Sequence, residues 1–234
     1  MAFTRDCSLQ PSRLEPFRSC MTDFRRPNPR PHEWANVSIS PKVIAYSCGA
    51  IARQGDAVEH EHDPDELALC HLLSTEAARL MKGVCVGMGS SGEDYFAPFF
   101  VAANRGVPVE AVVTEAVVRQ AFGGALYPES DMEVVVEPLV MKGEWWTLVR
   151  EYLVDNDDAL TDPDAMADGR RQLRKWTKMV EWFDRSGLRG CRFVMMRARY
   201  FPTTGEWLCI YFPYLAVGLT DAGSLVGIWG QVSR

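Results

Sequence analysis

The sequence predicts an α+β fold in which an antiparallel sheet of about five strands has its helices to one side. The sequence predicts the starts of two helices, because Asp63-Pro64 and Asp162-Pro163 each place a capping acid before a proline at the first helical position. Strand-like segments separated by turn residues follow the second of these helices. A long helix is therefore expected to cross between strands of one sheet.

Residues 1–36 predict an extended arm. They contain six arginines, no lysine and five prolines, and the run Arg25-Arg26-Pro27-Asn28-Pro29-Arg30-Pro31 disfavours helix. Such an arm either lies across a partner subunit or is a solvated tail. A cleaved targeting peptide is disfavoured because the segment also contains acidic residues.

Residues 37–126 predict a mainly helical segment after one strand within Val37–Ser47. Asp63 begins a helix that Gly83 can end, with Glu66 closing a capping-box-like pair. A shorter helix is expected over Asp94–Asn104. Another is expected over Pro108–Phe122, where valines and alanines form an apolar stripe.

Residues 127–234 predict an antiparallel α+β segment, and residues 37–234 can equally form one compact domain. Glu133–Met141 and Glu144–Val154 read as two strands joined by a hairpin at Lys142-Gly143. A long helix opens at Asp162, with Trp176 in its apolar seam and Gly187 after its end. Three or more strands follow.

The predicted order from Pro108 is helix, two strands, helix and three or more strands. This order is similar to that of profilin-like and roadblock-like modules, which are used for ligand sensing and for subunit assembly. The resemblance is one of element order alone. It implies a binding or assembly role without assigning any residue to it.

Composition narrows the function classes. The net charge of −6 and sequence pI near 5.3 disfavour nonspecific nucleic-acid binding, which needs a positive field. Seven cysteines without a CxxC pair fit free thiols. No apolar run is long enough for a membrane span, and no hydrophobic signal core opens the chain. We therefore expect a soluble intracellular protein of a reducing compartment, the cytoplasm.

A glycine-rich loop after residue 86 has the GxGxxG spacing. Its backbone amides could approach a phosphate through Gly87, Gly89, Ser90, Ser91 and Gly92. No acidic residue ends a second strand about 20 residues later, as a dinucleotide site would require. The alternative is a tight turn between elements.

Three histidines suggest a metal site. His60 and His62 form an HxH pair whose imidazoles point the same way in an extended loop, and His71 follows in the next helix. The alternative, which the spacing favours, is a hydrated acidic loop before a capped helix. The sequence predicts no cofactor and no catalytic triad, since neither serines nor cysteines have histidines at a known catalytic spacing.

Two surfaces are candidates for interaction. A basic stripe lies on the long helix, at Arg170, Arg171, Arg174, Lys175 and Lys178. The strand over Glu206–Tyr214 is apolar on both faces, with Trp207 and Tyr211 on one of them, so this sheet should be covered on both sides. One cover is the helix that contains Trp176, and the other can be the Pro108–Phe122 helix, a small ligand or another subunit.

We predict on these grounds a non-catalytic interaction protein, an accessory subunit that binds other protein subunits or a second copy of itself. The residue types enriched at interfaces are aromatic residues, Met and Arg. The candidate contact residues are Trp207, Tyr211, Arg197, Arg199, Arg25, Arg26 and Arg30. The alternative is a small-molecule-binding protein or enzyme that uses the Gly87–Gly92 loop, with a divalent metal near His60 and His62.

The glycine loop gives a direct test of that alternative. If the loop binds phosphate, the full chain binds common nucleotides in a calorimetric titration, and Gly89→Val abolishes binding because its side chain blocks backbone approach. Unchanged thermal unfolding of the variant is the control. A titration of the parent protein without detectable heat would remove the phosphate hypothesis.

Overall fold

The computed structural model describes residues 43–45, 51–53, 63–84, 95–103, 109–122, 132–198 and 211–233. Seven strands and five helices lie within these residues. In chain order they are β1 Val43–Ala45, β2 Ile51–Arg53, α1 Pro64–Leu80, β3 Ala97–Val101, α2 Glu115–Phe122, β4 Met132–Pro138, α3 Glu144–Leu153, α4 Asp157–Thr161, α5 Pro163–Arg185, β5 Arg189–Ala198, β6 Tyr211–Leu219 and β7 Leu225–Ser233.

The main sheet has five strands in the order β3-β7-β6-β5-β4, and all its neighbours are antiparallel. Strands β5, β6 and β7 form the predicted meander, with the turn at Gly223 (φ +90°) joining the last two. A separate antiparallel pair joins β1 to β2. The α+β class and the antiparallel sheet are thus confirmed.

The starts of two helices were predicted correctly from local capping signals. Asp63 accepts a hydrogen bond from the Asp65 N–H at 2.9 Å at the start of α1, and Asp162 accepts one from the Asp164 N–H at 2.8 Å at the start of α5. Gly187 follows α5 with a φ of +81°, which glycine adopts without strain. These signals act within a few residues, so distant parts of the chain do not alter them.

The predicted strand at Glu144–Val154 is wrong, because this segment forms helix α3. Its buried side chains Trp145, Val149 and Leu153 are spaced by four, which aligns them on one helical face. Gly143 precedes the helix with a φ of +94° and forms no hairpin turn. Two further helices, α4 and α5, therefore follow α3 before the next strand.

Two other helix predictions also need correction. The segment expected as a helix over Asp94–Asn104 contains strand β3, which pairs with β7. Pro98 is tolerated there because β3 is an edge strand of the described sheet. The helix expected over Pro108–Phe122 is confined to α2, and the Val113 N–H before it donates to the Gly190 carbonyl.

The centre of the sheet is covered on both faces by the chain itself. Every residue of β6 from Tyr214 to Leu219 is buried, although successive side chains point to opposite faces. On β5, Phe193 and its neighbour Val194 are both fully buried. Within the single chain these residues are already buried. The predicted covering of Glu206–Tyr214 stays a prediction, because the side chains before Tyr214 lie outside the described residues.

An aromatic cluster joins the helices to the sheet. Trp145 of α3 stacks on Phe193 of β5 with ring centroids 4.7 Å apart, and Trp176 of α5 contacts both rings at about 6 Å. Phe96, just before β3, packs edge-on against Trp176 at 5.2 Å. The Trp145 Nε1–H also donates to the Pro138 carbonyl at the end of β4.

Helices α1, α3, α4 and α5 form one connected group, since α5 packs against each of the other three. Helix α1 also contacts β3 and β7. The sheet contains residues from both sides of the predicted boundary at residue 126, because β3 pairs with β7. In the ranges given above, no helix is long and apolar enough to span a membrane.

Trp176→Ala tests the aromatic cluster. We expect the free energy of unfolding to fall by about 3–5 kcal/mol, because a fully buried ring is lost and a cavity is left. Chemical denaturation measures this change. Trp182→Ala, at a partly buried position of the same helix, is the matched control and should cost clearly less. Equal losses of unfolding free energy in the two variants would show that the aromatic cluster stabilises the fold no more than a partly buried position does.

Candidate functional site

Most of the sequence-predicted contact residues lie outside the described ranges. Among them are the arm residues Arg25, Arg26 and Arg30, together with Arg199 and Trp207. Arg197 lies in β5 and Tyr211 in β6, but the placement of their side chains is not described. Their role in an interface stays a prediction.

Most residues of the predicted phosphate and metal sites also lie outside the described ranges. Gly87, Gly89, Ser90, Ser91 and Gly92 lie outside the described residues, as do His60 and His62, whereas His71 lies on α1 and is exposed. Where side chains are described, no group of three or more His, Cys, Asp or Glu residues is arranged to hold a metal ion. The structure therefore does not test either hypothesis.

The first candidate site is a polar cluster between α1 and the β6–β7 turn. Its side chains include a carboxylate, hydroxyl groups and a thiol. The Thr220 hydroxyl donates to Glu66 Oε1, and the Cys70 thiol donates to the same oxygen at 3.6 Å. The Ser224 hydroxyl accepts the Ala103 N–H at 3.0 Å. Each of these polar atoms has a partner within the cluster, as expected for a buried structural contact.

The two described thiols, Cys70 in this cluster and Cys191 on β5, are poor nucleophiles. Burial raises the pKa of Cys70 to about 12, and burial raises the pKa of Cys191 to about 11. The nearby Glu66 carboxylate raises the pKa of Cys70 further. Both thiols remain protonated near neutral pH, so neither carries the thiolate that nucleophilic catalysis requires.

A groove between α3, α4 and α5 is the second described group. Asn156 forms the link between α3 and α4, because its amide N–H groups donate to the carbonyls of Glu151 and Tyr152 while its oxygen accepts the Ala159 N–H at 2.8 Å. One side chain thus ends α3 and begins α4. The short α4 follows α3 directly and packs against α5.

Helices α3 and α5 touch at the base of the groove. A side chain at Gly169 of α5 would overlap the Leu153 carbonyl at the end of α3, so only glycine allows this close approach. Gly169 and Leu153 are both buried. The backbones themselves therefore set the separation of the two helices at this point.

The groove is open to solvent and has a volume of about 880 Å³. Its apolar lining includes Leu148 and Tyr152, and its polar lining includes four carboxylic acids but no basic residue. The lining residues are Leu148, Glu151, Tyr152, Leu153, Asn156, Asp157, Asp158, Ala159, Ala165, Asp168, Gly169 and Gln172. The chemistry of the groove therefore favours a ligand with apolar and positively charged parts.

Gln172 has an unused acceptor in this lining. Its Nε2 donates to Asp168 at 2.8 Å, whereas its Oε1 atom is buried and accepts no hydrogen bond from any described residue. Asp168 also pairs with Arg171. A buried acceptor without a donor is costly, and a bound N–H group would satisfy it.

The basic stripe of α5 is divided in the structure. Lys175 donates to the Lys82 carbonyl at 2.6 Å, beyond the end of α1, and Arg171 pairs with Asp168. Arg170, Arg174 and Lys178, spaced by four, are exposed and form no ion pair with any described residue. These three residues, here named the basic row, lie on the outer face of α5.

The chain matches no known family model and no curated protein sequence. The assignment of a site therefore depends on geometry and chemistry alone. The groove is a concave feature of the described residues, and the charged residues that line it are all acids.

Sequence reasoning missed the groove, because it assigned Glu144–Val154 to a strand, whereas this segment forms helix α3 on one side of the groove. The capping signal at Asn156, followed by two acids and Ala-Leu, could have predicted α4. No sequence signal gives the contact between Gly169 and Leu153. The basic stripe was placed on the correct helix, although only three of its members are unpaired among the described residues.

Alkylation of the native full chain at pH 8 tests whether Cys70 can act as a nucleophile. Its thiolate fraction should be about a thousandfold below that of an ordinary cysteine, because its pKa is raised from 9.0 to about 12. Mass spectrometry after iodoacetamide treatment should find Cys70 unmodified in the native protein and modified in guanidinium. Equal rates in both states would restore the thiol as a candidate.

Proposed function

We propose that this protein is a non-catalytic interaction protein, an accessory subunit that binds a protein partner through the groove between α3, α4 and α5. The observation that carries the proposal is the open volume of about 880 Å³ lined by apolar side chains and four acids, of which only Asp168 pairs with a described basic residue. A partner segment with basic and apolar residues matches this lining.

The chemistry of the described polar groups supports a binding role over a catalytic one. Glu66, Thr220 and Ser224 are engaged with one another or with the backbone at the α1 contact. The nearby thiol of Cys70 is protonated. A general acid or base must instead reach a substrate proton, and these groups are directed towards their structural partners.

A profilin-like or roadblock-like arrangement remains part of the proposal. It is supported by the long helix α5 and the antiparallel meander β5–β7 that follows it. The order before α5 differs from the predicted one, since α3 is a helix. Contacts through Trp207, Tyr211, Arg197 and Arg199, and through the arm, are proposed as additional parts of the assembly.

Charge reversal in the groove tests this function. A tagged full chain purified from cells that express it naturally should belong to a species heavier than the 26.3 kDa of one chain, as measured by native mass spectrometry. Glu151→Lys with Asp158→Lys should release the partner, because both exposed acids line the groove.

The matched control is Glu110→Lys with Glu181→Lys. These two acids are exposed and lie outside the groove lining, so the net charge changes equally while the groove is unaltered. The control should keep the heavier species. A parent protein that is always a single chain, or a groove variant that keeps its partner, would contradict the proposed function.

A further inference from the structure

We propose that the groove binds the Arg25–Pro31 segment of a second copy of this chain. The inference rests on the proposed function and names the occupant of the same groove. Its first ground is the distribution of charge. Glu151, Asp157, Asp158 and Asp168 come from three helices, and no three acids among the described residues are gathered around one point.

Dispersed carboxylates suit a chain with several separate cations better than a single metal ion, which needs convergent ligands. The segment Arg25-Arg26-Pro27-Asn28-Pro29-Arg30-Pro31 has three arginines and no acid in seven residues. Each guanidinium offers five N–H donors in a planar fork that matches a carboxylate. The formal charges of the segment and the groove are therefore complementary.

The unused acceptor on Gln172 is the second ground. Gln172 lines the groove, and its buried Oε1 accepts no hydrogen bond from any described residue. Its Nε2 already donates to Asp168, which fixes the orientation of the amide. A small shift of the Gln172 side chain would expose this oxygen to the spare N–H groups of an arginine that pairs with the groove acids.

The prolines of the segment fit the apolar part of the lining. Proline-rich segments prefer the extended polyproline II conformation, and such segments dock on aromatic-lined grooves. Tyr152 presents a partly exposed aromatic ring in the groove, with Leu148 beside it in the lining. Because proline restricts the free segment, less conformational entropy is lost on binding.

Exchange between two copies gives a closed arrangement. If each copy places its segment in the groove of the other, the two contacts are identical and are related by a twofold axis. Two grooves are then filled, and no unused site is left to extend the assembly. The expected species is therefore a dimer, whose association weakens as salt screens the charges.

The first experiment measures the contact directly. A fluorescent peptide of residues 24–32 is titrated into full chain carrying Arg25→Glu, Arg26→Glu and Arg30→Glu, so that the chain's own segment does not compete. Fluorescence anisotropy should show saturable binding at low salt. Adding Glu151→Lys and Asp158→Lys to this chain should weaken binding by about tenfold or more. Adding the Glu110→Lys and Glu181→Lys control should not.

The second experiment uses charge exchange in full chains. Sedimentation velocity should show that the arm variant (Arg25, Arg26 and Arg30 to Glu) and the groove variant (Glu151 and Asp158 to Lys) are each monomeric. Mixed together they should form a heterodimer. In the mixture the Glu-bearing arm meets the Lys-bearing groove, and the native arm meets the native groove, so both contacts are attractive.

Three results would overturn the inference: no peptide binding, a parent chain that is monomeric at all concentrations, or no association in the mixture. Arm-dependent protection of the groove within a monomer would also contradict it, because the contact would then be internal. If the peptide does not bind while the native assembly still depends on Glu151 and Asp158, the groove binds a partner other than the Arg25–Pro31 segment. The proposed interaction function would then stand. If the native assembly is absent, the proposed function fails independently.

Discussion

The contact of Trp145, Trp176 and Phe193 is the interaction on which the rest of the described structure depends. It joins α3 and α5 to the middle of the sheet, and Phe96 extends it towards the β3 edge. Aromatic pairs of this kind contribute energy beyond the area they bury. Since α3 and α5 also provide lining residues of the groove, the core helps to determine where the candidate site lies.

The two ends of the helical layer are held by different physical means. At the α1 end, polar groups on Glu66, Thr220 and Ser224 fix the helix to the β6–β7 turn through hydrogen bonds. At the groove end, Gly169 allows backbone contact between α5 and α3. Hydrogen bonds specify orientation, whereas close packing specifies distance. The groove lies at the end where distance is specified.

The sequence predicted the fold class and both capped helices, because the signals at Asp63 and Asp162 are local. It failed at Glu144–Leu153, where apolar residues are frequent enough to satisfy strand and helix periods alike. It failed at Ala97–Val101 because the strand is defined by pairing with β7, more than a hundred residues later. Of the groove, only the acids and the Asn156 cap were readable in advance, since its shape comes from three helices that meet in space.

The position of the basic row beside the acidic groove has a consequence for how molecules meet. Arg170, Arg174 and Lys178 lie on the outer face of the same helix whose Asp168 lines the groove. Opposite charges on neighbouring surfaces give this part of the protein a strong local dipole. An approaching cationic chain is repelled from one surface and attracted to the other, so it is rotated before contact. At physiological ionic strength this orienting torque acts only within about 8 Å, the distance over which salt screens charge.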